Sequence, residues 1–278
     1  MGIRFWQSLP QLTVRTSDNN NVSEMIERLR RRRNVKHKPE LRLLCTGNKG
    51  HIMRPKKIVL VLLVFVLSFS VWSCRKDVIP AYRIALTFDD GPDSVYTPQV
   101  LDILKRENVK ATFFLIGKKI AKNTDVTLRI RDEGHCIGNH SYTHCWFPKL
   151  NFTNVMKEIT KTEDLIQNLC GSSHRYFRAP WGAIEQSQEL ELKAQGFTVV
   201  KWNVDPNDWD IKHTTVEKIV NVVVNNAGPE KIVLLHCADY AGIEGREKTI
   251  AALPHIIQIL KQQHYLFVTI EEILSRKP

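Results

Sequence analysis

Hydrophobic residues form two kinds of segment between residue 82 and the end of the chain. Short runs rich in β-branched and aromatic residues predict strands at 84–88, 111–116, 136–139, 176–178, 198–203, 232–236 and 266–270. The segments between them have apolar residues at helical spacing and predict helices at 97–107, 125–132, 154–169, 185–194, 216–225 and 249–263. Strands that alternate with helices are typical of parallel sheets. The pattern therefore predicts one α/β domain over residues 82–278, with a barrel-like sheet of about seven parallel strands.

The chain before this domain has a pattern typical of export. An uncharged apolar run of sixteen residues, 58–73, follows Arg54, Lys56 and Lys57, which is the order found in secretory signals and membrane anchors. The run is short for a helix that crosses about 30 Å of hydrocarbon. It ends at Cys74, which is similar to a bacterial lipoprotein signal with a lipidated cysteine. We expect residues 53–74 to be such a signal or an uncleaved anchor, and the protein to be exported and held at the membrane of a bacterial envelope.

The positive charge of the chain is concentrated in its N-terminal part. The net charge is +11, but residues 1–74 contain 14 Lys and Arg against 4 Asp and Glu, which leaves +1 for residues 75–278. A nearly neutral folded body argues against nucleic acid as a partner. The basic leader, 1–52, is either a cytoplasmic tail on the positive side of an anchor or sequence upstream of a true start at Met53. Residues 75–81 are predicted to be a short tether.

Four cysteines lie in the predicted domain, at positions 136, 145, 170 and 237. Export would place them where disulfides can form. Their spacing does not fit a structural zinc ribbon, and free thiols in the interior are the other interpretation.

Polar side chains follow five of the predicted strands where each strand ends. They are Asp89 and Asp90, His140 and His144, Arg178, Asp205 and Asp208, and His236. The carboxyl ends of parallel strands in a barrel meet at one face, where catalytic residues of such folds are found. We therefore expect these side chains to form one site.

The sequence TFDDGP at 87–92 places two carboxylates directly after an apolar strand. Adjacent carboxylates repel each other, so keeping both ionised at a half-buried edge requires a cation, an arginine, or both. An Asp that caps a turn before Gly91 is an equally common reason for this pattern. On its own, the motif therefore leaves a charged site and a simple turn as alternatives.

The sequence NHSYTH at 139–144 places two histidines four residues apart. This spacing predicts that both rings lie on one side of a helical turn, where they can bind one divalent metal ion. With Asp90 from the neighbouring strand end, His140 and His144 would form a set of three ligands. Such a set is compatible with zinc and leaves positions open for water and a substrate oxygen.

These motifs, with RAPWG at 178–182, VDPNDW at 204–209 and LLH at 234–236, resemble the five motifs of the polysaccharide deacetylase family, carbohydrate esterase family four. The catalytic unit of this family is the NodB-homology domain. The motifs occur in the family's order, and the resemblance covers residues 82–275. It implies a distorted (β/α) barrel, in agreement with the strand pattern.

The resemblance also implies a role for each residue. Asp90, His140 and His144 would hold the metal, and Asp89 would act as general base on a water whose pKa the metal lowers. Arg178 would orient Asp89, and the backbone N–H of Trp181 would help to hold the oxyanion. His236 would protonate the leaving amine, with Asp208 as the preferred carboxylate partner and Asp205 as the alternative. Leu234 and Trp209 would line the pocket for the acetyl methyl group.

The chain departs from the family at two of these positions. Trp181 stands where the family usually has Tyr or Phe, and Cys237 follows the last motif where an acidic or small residue is common. Neither position belongs to the inferred metal ligands or to the inferred base. We expect activity to survive both changes, while the larger ring at Trp181 alters which sugar fits.

Together these features predict an exported, zinc-dependent enzyme that removes acetyl groups from N-acetylglucosamine-type units. Peptidoglycan, an exopolysaccharide and chitin-like oligomers are the candidate substrates. Two other functions remain open: hydrolysis of another non-peptide C–N bond on the same fold, and glycan binding by an inactive lipoprotein.

Overall fold

The computed structural model of the chain describes residues 82–239 and 245–275. The leader predicted at 1–52, the export segment at 53–74 and the tether at 75–81 lie outside the described residues. Within the described residues, no helix combines the length and the apolar character needed to cross a membrane.

Strands and helices alternate along the described chain as the sequence predicts. The strands are β1 (Tyr82–Asp89), β2 (Thr112–Leu115), β3 (Cys136–Asn139), β4 (Tyr176–Phe177), β5 (Thr198–Val199), β6 (Lys231–His236) and β7 (Tyr265–Phe267). The helices are α1 (Tyr96–Arg106), α2 (Gly117–Ile120), α3 (Thr124–Asp132), α4 (Phe152–Cys170), α5 (Gln186–Ala194), α6 (Val216–Asn225), α7 (Glu247–Gln262) and α8 (Ile270–Leu274). Sequence periodicity missed α2 and α8, because helices of four and five residues are too short to show a period.

All strand pairs of the sheet are parallel, and β1 pairs with three other strands, β2, β6 and β7. The order is β5-β4-β3-β2-β1-β6, and β7 pairs with the beginning of β1. β5 and β6 are the two ends of this order. Beyond β5, Val204 forms a parallel bridge with Val233 of β6, so the chain that follows one edge strand contacts the other edge strand. The sheet therefore curls into a distorted barrel, which confirms the predicted fold class.

Two predicted strands end earlier than expected. The strand predicted at 198–203 ends at Val199, because the chain leaves β4 to bridge β6. The strand predicted at 266–270 ends at Phe267, because Thr269 begins a helix there. The Thr269 hydroxyl accepts from the Glu272 N–H, and the Glu272 carboxylate accepts from the Thr269 N–H at 2.8 Å. This reciprocal capping box stops the strand and starts α8.

Helix α4 shows how the helices cover the sheet. It begins at the cap Asn151, whose side chain accepts from the Asn154 N–H, and it ends at Gly171 in the left-handed conformation. Its buried residues are Val155, Ile159, Thr162 and Ile166. The spacing of three and four places them on one face, which contacts β3 and helices α2 and α3. Each fully buried aliphatic side chain of this kind contributes about 1.5–3 kcal/mol.

The four cysteines of the domain are free thiols in this structure. Cys136 and Cys237 are buried, whereas Cys145 and Cys170 are half-buried. The interpretation of interior free thiols therefore agrees with the structure, and no disulfide joins these four residues.

Candidate active site

The end of β1 presents two buried carboxylates. Asp89 and Asp90 have exposed fractions of 3% and 5%. Asp90 has a φ of 71°, in the left-handed region that residues other than glycine rarely adopt. This backbone conformation directs the two carboxylates to different partners. Strained residues of this kind are often found at functional sites.

Arg178 is the partner of Asp89. Its side chain is completely buried, and Nη1 donates to Oδ1 of Asp89 at 2.8 Å and to the Thr87 hydroxyl at 2.7 Å. Its Nε donates to the carbonyl of Val200 at 3.2 Å. Burial lowers the pKa of Arg178 from its ordinary value, and the negative charge of Asp89 opposes that effect. The ion pair thus fixes Asp89 in one orientation, with a permanent positive charge beside it.

The two histidines lie on a loop after β3, so the helical turn predicted for them is wrong. Ser141 and His144 have φ values of 64° and 59°, which a right-handed turn does not allow. Side chains hold the loop instead: the Asn139 side chain accepts from the Ser141 N–H, and the Ser141 hydroxyl accepts from the His144 N–H, both at 2.9 Å. The loop still brings both rings together, with centroids 4.9 Å apart.

Asp90, His140 and His144 form a buried cluster whose potential ligand atoms all lie within 4.8 Å of one another. Nε2 of His144 is 3.2 Å from Oδ1 of Asp90, and Nε2 of His140 is 3.6 Å from the same oxygen. Nδ1 of His140 lies 2.7 Å from the Arg178 carbonyl, which can only accept. Nδ1 must therefore carry the proton, so Nε2 presents its lone pair to the cluster. Two nitrogens and one carboxylate oxygen fit a divalent ion such as zinc.

The charge states of this cluster suit metal binding. Burial would raise the pKa of Asp90, but its hydrogen bond with His144 and the nearby histidines hold that pKa well below its ordinary value. Burial lowers the pKa of His140 to about 4, although the Asp89 carboxylate opposes this. At neutral pH, Asp90 is therefore an anion and His140 is neutral, as metal ligands must be.

His236, at the end of β6, pairs with Asp208. Oδ1 of Asp208 lies 2.7 Å from Nδ1 of His236, and Oδ2 accepts from the His236 N–H at 2.8 Å and from the Thr249 hydroxyl at 2.9 Å. Burial lowers the pKa of His236, but the charge and hydrogen bond of Asp208, with the charges of Asp90 and Asp89, together outweigh burial and raise that pKa to about 9. His236 is therefore a cation at neutral pH.

No hydrogen bond or ion pair joins Asp205 to His236, although both line the same cavity. Oδ1 of Asp205 accepts from the Asn207 N–H at 2.8 Å and so stabilises the turn before Asp208. The structure thus separates the two candidate partners, which the spacing alone could not do.

One cavity of about 260 Å³ joins these groups. It is lined by Asp89, Asp90, His140, His144, Trp181, Trp202, Asp205, Trp209, Leu234, His236 and Arg246. Nine of the eleven residues singled out from the sequence are among them. The other two, Arg178 and Asp208, lie behind the lining, in contact with Asp89 and His236. Trp181 lies in the 3₁₀ turn Pro180–Gly182 with a φ of 56°.

Sequence reasoning missed two lining residues, Trp202 and Arg246. Trp202 lies two residues after Val200 and two residues before Val204, and both valines are buried. Alternation along a strand places such residues on the same face, so it could have predicted that Trp202 points inward. Arg246 is buried, and its Nε donates to the Ala238 carbonyl at 3.0 Å. No sequence pattern singles out Arg246, because its place depends on how the chain returns from β6 to α7.

Comparison with known proteins agrees with this site. The sequence model described as polysaccharide deacetylase matches residues 77–200. A peptidoglycan-N-acetylglucosamine deacetylase of Bacillus cereus is 40% identical over 193 residues, which cover 69% of this chain and 68% of that protein. A chitooligosaccharide deacetylase of Azorhizobium caulinodans is 33% identical over 190 residues, which cover 66% of this chain and 90% of that protein.

A solved structure has the same fold. A peptidoglycan N-acetylglucosamine deacetylase, crystallised with 4-naphthalen-1-yl-N-oxidanyl-benzamide, superposes with a TM-score of 0.66 at 37% identity. The match covers 71% of this chain and 90% of the solved one. The chain also has the buried cluster of Asp90, His140 and His144 and the five motifs in the family's order. It therefore belongs to the polysaccharide deacetylase family.

Proposed function

We propose that the chain hydrolyses N-acetyl groups from amino-sugar units of a polysaccharide, with peptidoglycan as the first candidate substrate. The observation that carries this proposal is the position of two oppositely charged groups in one cavity. Asp89 and His236 are register partners on the neighbouring strands β1 and β6, beside the Asp90, His140 and His144 cluster. One is a carboxylate held by an arginine, and the other is an imidazolium held by a carboxylate. Amide hydrolysis needs such a base and such an acid.

Different residues carry out different steps of the proposed reaction. A divalent ion held by Asp90, His140 and His144 would supply a Lewis acid that lowers the pKa of a water and polarises the acetyl carbonyl. Asp89 takes a proton from the attacking water, whose oxygen forms a bond to the carbonyl carbon. His236 gives its Nε2 proton to the amine as the C–N bond breaks. The products are acetic acid, which ionises to acetate in water, and a free amino sugar. Transfer of the proton from Asp89 to neutral His236 then returns both side chains to their starting state.

Two further groups would position the acetyl group. The backbone N–H of Trp181 is offered as a hydrogen-bond donor to the developing oxyanion, in a turn fixed by Pro180. Leu234 and Trp209 line the same cavity and offer apolar contact to the acetyl methyl group. Arg178 acts through Asp89 and does not need to touch the substrate.

The names of the relatives support the choice of substrate class. The Bacillus cereus relative is named for N-acetylglucosamine in peptidoglycan, and the Azorhizobium relative for chitooligosaccharides. Both polymers contain N-acetylglucosamine units, so the shared chemistry is removal of that acetyl group. An exopolysaccharide with the same units is the remaining candidate. A function limited to glycan binding would not require the two charged pairs that surround the cavity.

We propose further that the enzyme acts outside the cytoplasm and is tethered to the membrane. The support is the uncharged run 58–73 behind three basic residues, and Cys74 at its end. A substrate in the cell wall agrees with this location. Metabolic labelling with a palmitate analogue tests the lipid: label that is lost in Cys74→Ala supports a lipoprotein, whereas unlabelled membrane-bound protein supports an uncleaved anchor.

Acetate release tests the proposed activity. The full chain is assayed on peptidoglycan and on N-acetylglucosamine oligomers, before and after chelation and after zinc is restored. We expect metal-dependent release, and we expect Asp89→Asn to lose at least about 100-fold in kcat while keeping its metal, because it lacks only the base. An Asp89→Asn protein with wild-type activity would overturn the mechanism. No release by the folded, metal-loaded wild type would overturn the function.

A further inference from the structure

All four tryptophans in the described part of the chain lie in or beside the active-site cavity. Trp181, Trp202 and Trp209 line it, and Trp146 lies next to Trp181. Three of them are about half exposed, with exposed fractions of 45% for Trp146, 52% for Trp181 and 49% for Trp209. Large aromatic side chains that stay exposed together at one place are typical of binding surfaces.

Trp146 and Trp181 form a pair that extends from the metal cluster to the rim of the cavity. The Trp181 ring packs against His144 with centroids 4.4 Å apart, and it also packs against the Trp146 ring at 5.6 Å and 50°. Trp181 lines the cavity, whereas Trp146 is not among its lining residues. The pair, which we call the indole shelf, therefore begins at the reactive centre and continues outward.

Both rings of the indole shelf are carried by short, fixed turns. Trp146 directly precedes the 3₁₀ turn Phe147–Lys149, and Phe147 is fully buried and stacks on Phe177 with centroids 5.3 Å apart. Trp181 lies in the turn Pro180–Gly182, where Gly182 packs closely against the Trp202 ring. The rings are thus held in place before any ligand arrives, which reduces the entropy that binding costs.

We propose that the indole shelf binds the sugar ring next to the unit whose acetyl group is removed. This inference rests on the proposed function, which places the reactive unit in the cavity. Successive sugars of a β-linked chain are spaced by about the length of one ring. The centroids of the two indole rings, 5.6 Å apart, have a similar spacing. The face of a pyranose ring that carries axial C–H bonds is apolar and packs on an indole. An adjoining sugar would therefore lie over the indole shelf and contact Trp146.

A comparison of chain lengths tests the indole shelf. The monosaccharide N-acetylglucosamine can fill only the cavity, whereas a tetrasaccharide also places an adjoining sugar on the indole shelf. We expect Trp146→Ala to lower the ratio of tetrasaccharide to monosaccharide kcat/KM by about fivefold, mainly through a higher tetrasaccharide KM. Trp146→Phe keeps an aromatic face and should restore most of the ratio. A Trp146→Ala protein with the wild-type ratio would overturn the inference.

Tyr82→Ala is the matched control. Tyr82 is 46% exposed and forms a tilted pair with Tyr265, with centroids 5.8 Å and planes 48° apart, so the geometry is close to that of the indole shelf. It lies at the beginning of β1, whereas Asp89 lies at the end of that strand. We expect Tyr82→Ala to keep the wild-type ratio. An equal loss in this variant would mean that removing any exposed ring produces the effect, and it would overturn the inference.

Binding separates a failure of the indole shelf from a failure of the proposed function. Tetrasaccharide affinity is measured by calorimetry with Asp89→Asn protein, so the result does not depend on turnover. A Kd raised about fivefold by adding Trp146→Ala supports the shelf even if no substrate releases acetate. An unchanged Kd overturns the shelf even if the wild type is an active deacetylase.

Discussion

The guanidinium of Arg178 and the carboxylate of Asp89 form an ion pair of 2.8 Å in the interior, where their side chains are only 1% and 5% exposed. Charges are removed from water at a high cost in free energy, so a buried pair persists only when its hydrogen bonds are well formed. Here the guanidinium also donates to Thr87 and Val200. Arg178 is therefore placed to position Asp89, the proposed base.

Replacing Arg178 by Lys should keep the positive charge beside Asp89 but lose the hydrogen bonds that position it. A lysine keeps the positive charge, but its one nitrogen cannot reproduce the positions of Nη1, which donates to Thr87 and Asp89, and of Nε, which donates to Val200. We expect kcat for deacetylation to fall by about 100-fold while the metal content stays at the wild-type level. Steady-state kinetics and elemental analysis of the same preparation check this.

Arg175→Lys is the control for this change. Arg175 is exposed and lies over the Phe197 ring at 4.4 Å, outside the cavity lining. We expect wild-type kcat from it. A wild-type kcat from Arg178→Lys would show that charge alone is sufficient at this position.

The Asp208 and His236 pair predicts a pH dependence. His236 must carry a proton to act as the acid. Burial lowers its pKa, but Asp208, with the charges of Asp90 and Asp89, raises that pKa to about 9. The rate should therefore fall as the pH rises through that value. In Asp208→Asn the charge is lost and burial lowers the pKa, so the alkaline limb of kcat/KM should move to lower pH. Asp205→Asn should leave the limb in place, because Asp205 forms no hydrogen bond or ion pair with the His236 ring; a shift in this control would contradict the assignment.

The same pair links stability to pH. The folded-state pKa of His236 is raised above the unfolded value of about 6.5, so its contribution is complete below that pH. It is lost as the pH rises from about 6.5 through about 9. Urea unfolding across this range should show a decline that is smaller in Asp208→Asn. An equal decline in both proteins would assign it to other groups.

Removal of one metal ligand should reduce metal content and stability together. In His140→Ala the cluster keeps one imidazole and Asp90, so metal content and acetate release should both fall at least about 10-fold. A bound ion stabilises the folded state by about 2.7 kcal/mol at a concentration 100 times its Kd. Chelation should therefore lower the Tm of the wild type but not that of His140→Ala. His174→Ala removes a half-exposed imidazole elsewhere and should behave like the wild type.

Gly182 leaves room for the Trp202 ring through its lack of a side chain. It has a φ of 67°, and an added Cβ would lie 2.7 Å from the Trp202 ring. Gly182→Ala therefore combines backbone strain with a clash against a residue that lines the cavity. Gly171 has a φ of 74° but nothing within 4 Å of an added Cβ, so Gly171→Ala has the strain alone.

Comparison of these two variants isolates the clash. We expect Gly182→Ala to cost about 1–3 kcal/mol more in the free energy of unfolding than Gly171→Ala, measured by urea denaturation. It should also reduce kcat/KM, because the Trp202 ring must move. Equal losses in the free energy of unfolding would mean that the Trp202 ring moves aside without a measurable cost.

The sequence by itself determined the order and type of the long elements and the position of the chemistry. Alternation of apolar runs predicts β1 to β7 and the six long helices, because each element must bury one face whatever its neighbours are. Polar residues directly after strands predict one site, because parallel strands bring those ends together. This is why the cluster of Asp90, His140 and His144 could be anticipated from motifs alone.

Only the tertiary structure decided which partners those residues have. Asp205 and Asp208 share one short loop, but Oδ2 of Asp208 also accepts from Thr249 of α7, 41 residues further along the chain. The loop at 140–144 adopts left-handed backbone angles that local spacing does not encode. Trp202 and Arg246 line the cavity because distant segments close around it. Local periodicity reflects burial of a face, whereas contacts of single polar atoms depend on elements far apart in sequence, so they are fixed only when the barrel closes.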